Sequence, residues 1–456
     1  MAVGSGDLRK LTDGFAGEIV RPDDPGYEAA RAVWNSMIDR RPALIVRPTG
    51  TDDVVAALRF AREQELVIAV RSGGHSIPGF STCDDGIVID LSRMRGVDVD
   101  PERRTARVRG GSLLAELDDA AQAHGLVCPV GVVSHTGVAG LTLGGGMGRL
   151  QRQLGLTIDS LLAVELVTAD GRVVRASKDE NPELFWGMRG AGANFGIVTS
   201  FEFQLHPFEG LVTYGTVTHP IERAEELAER YRELVEDGPD ELWTSFGMAV
   251  GGAARGPTAS VSVLHSGSPA DAERDLAGLR ALEDPFVDSI ESKQYLASQR
   301  LFDAPMEWGQ RFSMKSSFIA SLPDALVRDW ADQVSRVPDG AEGGFSVWVW
   351  GRAIAAVPEE DTAFTGRGAA FWAGAEIAWN DDALDDACRS WARAAADTAA
   401  PYATVGRYVN DVTEVGGDVA RTIYGDAKYE RLVALKREWD PENVFRLNQN
   451  IAPWRS

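Results

Sequence analysis

Cysteine is scarce in this chain, with only Cys83, Cys128 and Cys388 among 456 residues. An odd number of thiols cannot all pair, and no two of them have the CxxC spacing. A disulfide framework and a zinc site are therefore both poorly supported, and we expect no metal.

Basic residues and long apolar runs are also few. The chain has 46 Lys and Arg against 68 Asp and Glu, a formal net charge of −22. Nucleic acid and anionic membranes repel such a surface, so we expect neither as a partner. No apolar stretch approaches the roughly 20 residues of a spanning helix, and residues 1–10 lack the apolar core of a signal peptide. We expect a cytoplasmic protein, either a monomer or a homodimer.

The hydrophobic pattern changes near residue 208. Before it, short apolar strands alternate with helices in a mixed α/β pattern, with strands at 43–46, 66–70, 86–90 and 105–109, a hairpin at 162–174, and helices at 52–60 and 113–124. After it, alternating strands at 212–218, 259–264 and 345–350 are interleaved with amphipathic helices at 221–235, 270–282, 326–334 and 382–396. The pattern predicts an α+β fold whose second part is an antiparallel sheet with helices on one face.

Glycine-rich loops in the first half do not form a Rossmann signature. Leu143–Arg149 fails the GxGxxG pattern in every register, Gly190-Ala-Gly192 fails by one position, and no P-loop is present. Bare backbone N–H groups of such loops would still suit a pyrophosphate, and the alternative is turns and tight packing.

A single histidine follows the predicted strand 66–70, in the run Arg71-Ser-Gly-Gly-His75-Ser76. It lies on a glycine loop beside a fixed cation, which suits a chemical role. A lone histidine can equally be structural or exposed.

Four ordered motifs resemble one family. They are Arg71–Ser76, the glycine-rich stretch Thr136–Gly148, Leu184–Thr199 and Asp440–Asn450. Together they resemble the berberine bridge enzyme-like branch of the vanillyl-alcohol oxidase flavoproteins, over about residues 15–452.

The resemblance implies FAD bonded through its 8α-methyl carbon to His75. It implies a bipartite FAD-binding domain of PCMH type at 1–208, a substrate-binding domain at 209–404 and a C-terminal segment at 405–456 that completes the FAD site. The other implied FAD contacts are Arg71, Ser72, Gly73, Gly74, Ser76, Gly131, Val132, Ser134, Thr136, Gly137, Gly140, Gly144, Gly148, Ile197, Val198, Tyr408, Asn448 and Asn450. For the two asparagines the alternative is C-terminal capping or exposure.

Departures from the family pattern bear on the chemistry. Many relatives add a second flavin bond from a Cys in the slot that Val133 fills here, and Cys128 lies five positions earlier. We therefore expect a single link through His75, which lowers the odds of a sugar-polymer substrate. Thr136 stands where relatives often place an aliphatic residue over the oxygen-reactive carbon of the flavin. The sequence therefore does not decide whether oxygen is the electron acceptor.

The catalytic base is also open, because Gly351–Ala355 lacks the Glu that plant relatives carry. The family's Tyr-x-Asn-aromatic motif is Tyr408-Val-Asn410-Asp411, without the second aromatic. Tyr408 is the candidate base, and a core aromatic with a satisfied hydroxyl is the alternative. Period-2 alternation predicts an aromatic wall with two polar side chains, or else ordinary sheet packing. Its members are Ser346, Trp348, Trp350 and Arg352 on one strand, and Trp372 and Glu376 on another.

These observations predict an FAD-dependent oxidase. It would transfer a hydride from an alcohol or amine carbon of a small organic substrate to the flavin, with molecular oxygen reoxidising the flavin to give H2O2. The alternatives are a dehydrogenase with a non-oxygen acceptor, a sugar or oligosaccharide oxidase, and a flavoprotein that has lost activity.

Overall fold

The computed structural model describes residues 11–12, 14–251 and 256–454. Residues 1–10, on which the expectation of no signal peptide rests, lie outside these ranges. No helix within the described ranges is both long and apolar enough to cross a membrane.

The first sheet leads into the loop that carries His75. Its four strands lie in the spatial order Glu18–Val20, Leu44–Arg47, Ile87–Asp90 and Ile68–Arg71, the first pair antiparallel and the rest parallel. Short apolar runs are typical of parallel strands buried on both faces. Helix Thr51–Glu63 packs against this sheet. Gly50 is the N-cap residue of this helix, and the Asp53 carboxylate accepts the N–H groups of Ala16 and Thr49.

The second sheet is antiparallel and has five strands in the order Val97–Asp100, Thr105–Arg109, Ile197–Gln204, Leu161–Val167 and Val173–Ser177. Pairing of the last two confirms the predicted hairpin. Around this sheet lie helices Leu114–Gln122, Val138–Leu143 and Pro182–Ala191, whereas helix Gln151–Leu154 packs against strand Leu242–Val250 of the large sheet described next. Strands Leu126–Val127 and His206–Pro207 form a separate two-stranded antiparallel sheet.

The third sheet is large, antiparallel and covered by helices on one face. Its strands are Leu211–Pro220, Leu242–Val250, Thr258–His265, Val287–Asp288, Glu291–Gln294, Arg311–Ile319, Glu342–Val349 and Phe371–Trp379. The covering helices are Ala224–Asp237, Pro269–Asp275, Ala277–Arg280, Asp324–Val334 and Asp385–Asp397. The predicted helix at 270–282 is thus two helices. The α+β prediction with helices on one face is confirmed, and the opposite face is left to form a site.

The C-terminal segment returns to the second sheet. Helix Gly417–Trp439 bends at Gly425, whose φ of +72° favours glycine. At its end Lys436 and Asp440 form a fully buried ion pair at 2.6 Å. Ile451 then packs into the core of the second sheet, which brings residues 448–450 beside the first half of the chain. Three short helices, Tyr27–Arg31, Tyr295–Gln299 and Ala353–Ala356, complete the fold.

Candidate active site

Two glycine loops touch backbone to backbone at the end of the parallel strands. A Cβ on Gly73 would lie 2.1 Å from the amide nitrogen of Gly137, and a Cβ on Gly137 would lie 2.3 Å from that of Gly73. Neither position admits a larger residue without backbone movement. The carboxyl ends of parallel strands are a common place for ligands in α/β folds. The contact therefore joins two predicted FAD motifs at a favourable place.

Polar groups of the first loop lack partners within the chain. Among the described residues, no carbonyl or side chain accepts the backbone N–H groups of residues 73–76. The Ser72 hydroxyl and the Nε and Nη2 groups of Arg71 are buried without a hydrogen bond, while Arg71 Nη1 donates to Ala32 at 2.9 Å. An unpaired buried polar group costs about 1–3 kcal/mol. A cluster of free donors beside a buried guanidinium fits an anionic group such as the FAD pyrophosphate.

His75 is held between two indoles. Its ring stacks on Trp34 with centroids 5.2 Å apart, and meets the edge of Trp308 at 6.0 Å. Its Nε2 lies 2.7 Å from Nδ1 of His135. Burial, with His135 nearby, lowers the pKa of His75 to about 3, so the ring is neutral. Ser76 turns away from this group, since its hydroxyl accepts the N–H of Phe80 at 3.0 Å.

The second glycine loop, residues 131–148, offers backbone groups to a ligand more than side chains. Asp303 accepts both the N–H and the hydroxyl of Ser134, at 2.8 and 2.6 Å, so the polar groups of Ser134 are already engaged. The Thr136 carbonyl accepts the N–H of Leu114. The glycines differ, because a Cβ would collide at Gly131, Gly144 and Gly148 but would meet nothing within 4 Å at Gly140. Val132 lies half-buried in the same loop.

Among the strand and tail residues predicted to contact FAD, Ile197, Val198 and Asn448 are buried and Asn450 is half-buried. The side chains of Ile197 and Val198 belong to two apolar cores, so only their backbone is free for a ligand. Asn448 donates to the carbonyl of Ala193 at 2.8 Å. Its Oδ1 and that of Asn450 are buried without a hydrogen bond. These two amide oxygens are unused acceptors, which contradicts the alternative of surface exposure.

Two carboxyls lie at the face of the large sheet opposite the covering helices: half-buried Glu376 on the sheet itself, and buried Asp411 on the C-terminal segment. Ser346 donates to Glu376 Oε1 at 2.7 Å, while Trp372 Nε1 and the Ser316 hydroxyl both donate to Asp411 Oδ2 at 2.9 Å. Burial raises the pKa of Glu376. Burial and the nearby Glu376 raise the pKa of Asp411 to about 7, although hydrogen bonds and Arg407 oppose the shift. No cation within the described chain forms an ion pair with either carboxyl.

Aromatic side chains line the same face. The Trp348 and Trp372 rings meet edge to face with centroids 5.9 Å apart. Indole faces bind cations as well as apolar groups. The predicted wall is therefore assembled from Ser346, Trp348, Trp372 and Glu376, with Asp411 added from the C-terminal segment.

The predicted wall is wrong at Arg352. The strand ends at Val349, and Arg352 has a φ of +50°, so the chain turns and the alternation stops. The guanidinium of Arg352 lies 3.3 Å from the Gly238 carbonyl and 3.4 Å from Asp240, and does not contact Glu376. Trp350, in contrast, is buried in the same apolar cluster as Trp372, with Trp348 packed against it, and its indole donates to the Gly366 carbonyl at 3.1 Å.

Tyr408 connects the glycine loop with the C-terminal segment. Its hydroxyl accepts N–H groups from Gly146 at 3.2 Å, Met147 at 3.4 Å and the Asn410 amide at 3.1 Å. Burial raises the pKa of Tyr408. A phenol that stays protonated and accepts three N–H groups is suited to holding the loop rather than to taking a proton.

Sequence reasoning missed four residues of this region: Trp34, His135, Trp308 and Asp411. Asp411 occupies the position at which the family motif has its second aromatic residue. This departure was the signal for the carboxyl, but it was interpreted only as the loss of an aromatic side chain. His135 directly precedes the second motif. The two tryptophans carry no local signal, because they reach His75 from distant parts of the chain.

Two segments of the chain that contribute to this site match known protein families. Residues 42–177 match the FAD binding domain family, and residues 407–452 match the berberine and berberine-like family. The chain is 32% identical to (R)-6-hydroxynicotine oxidase of Paenarthrobacter nicotinovorans, over 96% of this chain and 97% of that protein. The crystal structure of 6-hydroxy-D-nicotine oxidase from Arthrobacter nicotinovorans has a TM-score of 0.90 at 32% identity, over 97% of this chain and 99% of that one. Xylooligosaccharide oxidase from Myceliophthora thermophila C1 is similar in fold alone, with a TM-score of 0.87 at 22% identity over 99% and 100% of the chains.

Proposed function

The chain belongs to the berberine-like family of FAD-linked oxidoreductases, and from this premise we propose that it is an oxidase for small amines. It carries FAD on a single covalent link to His75 and uses molecular oxygen as electron acceptor. Residues 1–208 and 405–456 hold the cofactor, and residues 209–404 supply most of the substrate wall. The observation that carries the proposal is a pair of carboxyls, buried Asp411 and half-buried Glu376, with which no cation of the described chain forms an ion pair.

FAD, when bound, supplies the two-electron acceptor for a hydride from the substrate carbon. The chain contributes the means of holding it. Free N–H groups of residues 73–76, with Arg71 beside them, offer donors to the pyrophosphate. The neutral His75 ring has a nitrogen lone pair for the 8α bond. Val133 stands where relatives with two links have a cysteine, which supports a single link.

An amine fits the carboxyl pair better than a neutral substrate does. The charge of Glu376 opposes the ionisation of Asp411, and a protonated amine beside the two carboxyls would relieve that repulsion. The Trp348 and Trp372 rings supply apolar and cation-binding surface beside them. A sugar or alcohol would leave the repulsion in place.

The same carboxyls can take the proton that amine oxidation requires. A carbon next to nitrogen releases a hydride only when the nitrogen lone pair is free. Asp411 Oδ1 and Glu376 Oε2 form no hydrogen bond within the described chain, so they are the atoms open to an ammonium proton. A pKa of about 7 for Asp411 lets that oxygen gain and lose a proton near neutral pH.

The experiment compares substrates of equal size. Purified holoprotein is given secondary and tertiary cyclic amines, the matching secondary alcohols, and xylobiose, with H2O2 release and O2 consumption measured. Amines should release H2O2 and the alcohols should not. Release from alcohols or xylobiose alone would contradict the amine assignment. Bleaching of the flavin under nitrogen without H2O2 in air would instead indicate a dehydrogenase.

Variants test the carboxyl pair itself. Asp411→Asn and Glu376→Gln should each lower kcat/KM for amines by about 10- to 100-fold, the loss expected for a hydrogen bond to a charged group. Ser346→Ala is the matched control, because it removes a partner of Glu376 without removing a carboxyl. Wild-type kcat/KM in both carboxyl variants would refute the assignment.

A further inference from the structure

A second histidine lies against the ring of His75. The Nδ1 atom of His135 is 2.7 Å from Nε2 of His75, and the two ring centroids are 4.7 Å apart. The backbone on either side of His135 is anchored, because Asp303 holds Ser134 and the Thr136 carbonyl accepts the N–H of Leu114. The imidazole pair is therefore built into the fold.

The hydrogen bond decides which nitrogen of His75 can react. A neutral imidazole has one N–H and one lone pair, and the partner of one nitrogen fixes the state of the other. When Nε2 donates its proton to His135, the lone pair lies on Nδ1. The rings of Trp34 and Trp308 hold His75 in this orientation.

We propose that His135 accepts the Nε2 proton of His75 while Nδ1 of His75 bonds to the 8α carbon of FAD. The inference rests on the proposed attachment at His75. The Nδ1–C8α bond forms and a C–H bond at that carbon breaks, with its proton lost to solvent. The electron pair from that C–H bond stays with FAD, and molecular oxygen then takes two electrons and two protons to give H2O2.

A proton acceptor is needed because of where His75 lies. Without one, the alkylated ring would keep its Nε2 proton and become a cation, and burial disfavours a cation at this position. His135 is half-buried rather than enclosed, so it can pass the proton on to solvent. His135 is thus a positioning and proton-accepting residue for the attachment, not for substrate oxidation.

The test follows attachment directly, without turnover. Full-length apoprotein from riboflavin-depleted cells is mixed with FAD, quenched in acid at intervals, and scored for flavin fluorescence of the denatured band. The variants are His135→Ala and His135→Gln, and the matched control is His124→Gln, an exposed histidine of the same half of the chain. Noncovalent FAD binding is measured by tryptophan quenching before attachment proceeds.

Covalent incorporation should slow by about 100-fold or more in both variants, the usual contribution of a proton-transfer group. Free imidazole should restore the rate in His135→Ala, where it can enter the vacated space, and not in His135→Gln. Noncovalent binding and the His124→Gln control should match wild type. A structural role alone would not respond to imidazole.

Three results would overturn the proposal. They are attachment at the wild-type rate in either variant, absence of imidazole rescue, and loss of noncovalent FAD binding in both variants. The last would mean that His135 builds the site instead of taking a proton. Wild type without any covalent flavin is a different failure, because it removes the attachment at His75 on which the inference rests.

Discussion

Removing the buried carboxyl of Asp411 should have opposite effects on the stability of the protein and on its activity. Its pKa rises from the ordinary 3.8 to about 7, chiefly through burial. The unfolded chain therefore ionises this group more readily than the folded one. The contribution of Asp411 to stability is therefore fully present below pH 3.8 and is lost as the pH rises from there through about 7.

The size of the loss follows from the same shift. It corresponds to about 4 kcal/mol above pH 7, as an upper limit. Asp411→Asn removes the ionisation and keeps an oxygen that can accept from Trp372 Nε1 and the Ser316 hydroxyl. The variant should therefore unfold at a temperature several degrees above wild type in alkaline buffer, and close to wild type in acid.

Thermal unfolding of both proteins at about pH 4.5 and about pH 8.5 measures the difference, since most of the predicted loss falls between these two values. Asp385→Asn is a control with the opposite sign. Arg311 lowers the pKa of Asp385, so that variant should lose stability instead of gaining it. An equal gain for Asp411→Asn at both pH values, or none at the higher one, would refute the reasoning. If Asp411→Asn gains stability and loses amine oxidation, the carboxyl of Asp411 serves activity at a cost in stability.

The remaining predictions concern the loops. Gly137→Ala should abolish FAD binding because its Cβ would lie 2.3 Å from the amide nitrogen of Gly73, whereas Gly140→Ala should bind FAD normally because no atom lies within 4 Å of its Cβ. The flavin content of the purified variants checks both predictions. A normal flavin content in Gly137→Ala would contradict the loop contact. Tyr408→Phe should lower stability by about 1–3 kcal/mol, since three N–H groups lose their acceptor. The pH profile of kcat should stay unchanged in Tyr408→Phe, and loss of a limb on which kcat rises with pH would identify Tyr408 as a base.

Much of the fold could be predicted from local pattern. Strand and helix periods gave the hairpin at 162–174 and the antiparallel sheet with helices on one face, because burial of one face imposes those periods. The prediction failed where backbone geometry overrode the pattern. Arg352 continues the alternation in the sequence, yet its positive φ turns the chain toward Asp240.

The site was less predictable because it is assembled from distant segments. His135 meets His75 across 60 positions, and Asp411 meets Trp372 across 39. Neither pairing leaves a periodic signal. The four motifs identified the family and its cofactor loops, since each motif is contiguous. The carboxyl pair depends on which strand faces the C-terminal segment, and only the structure gives that.

The central claim is tested most directly by acid precipitation of the purified protein and of His75→Ala. The account predicts that the yellow colour stays with the denatured wild-type protein, and that any flavin bound by His75→Ala is released into the supernatant. Colour that leaves the wild-type protein, or stays with His75→Ala, would contradict the covalent link at His75.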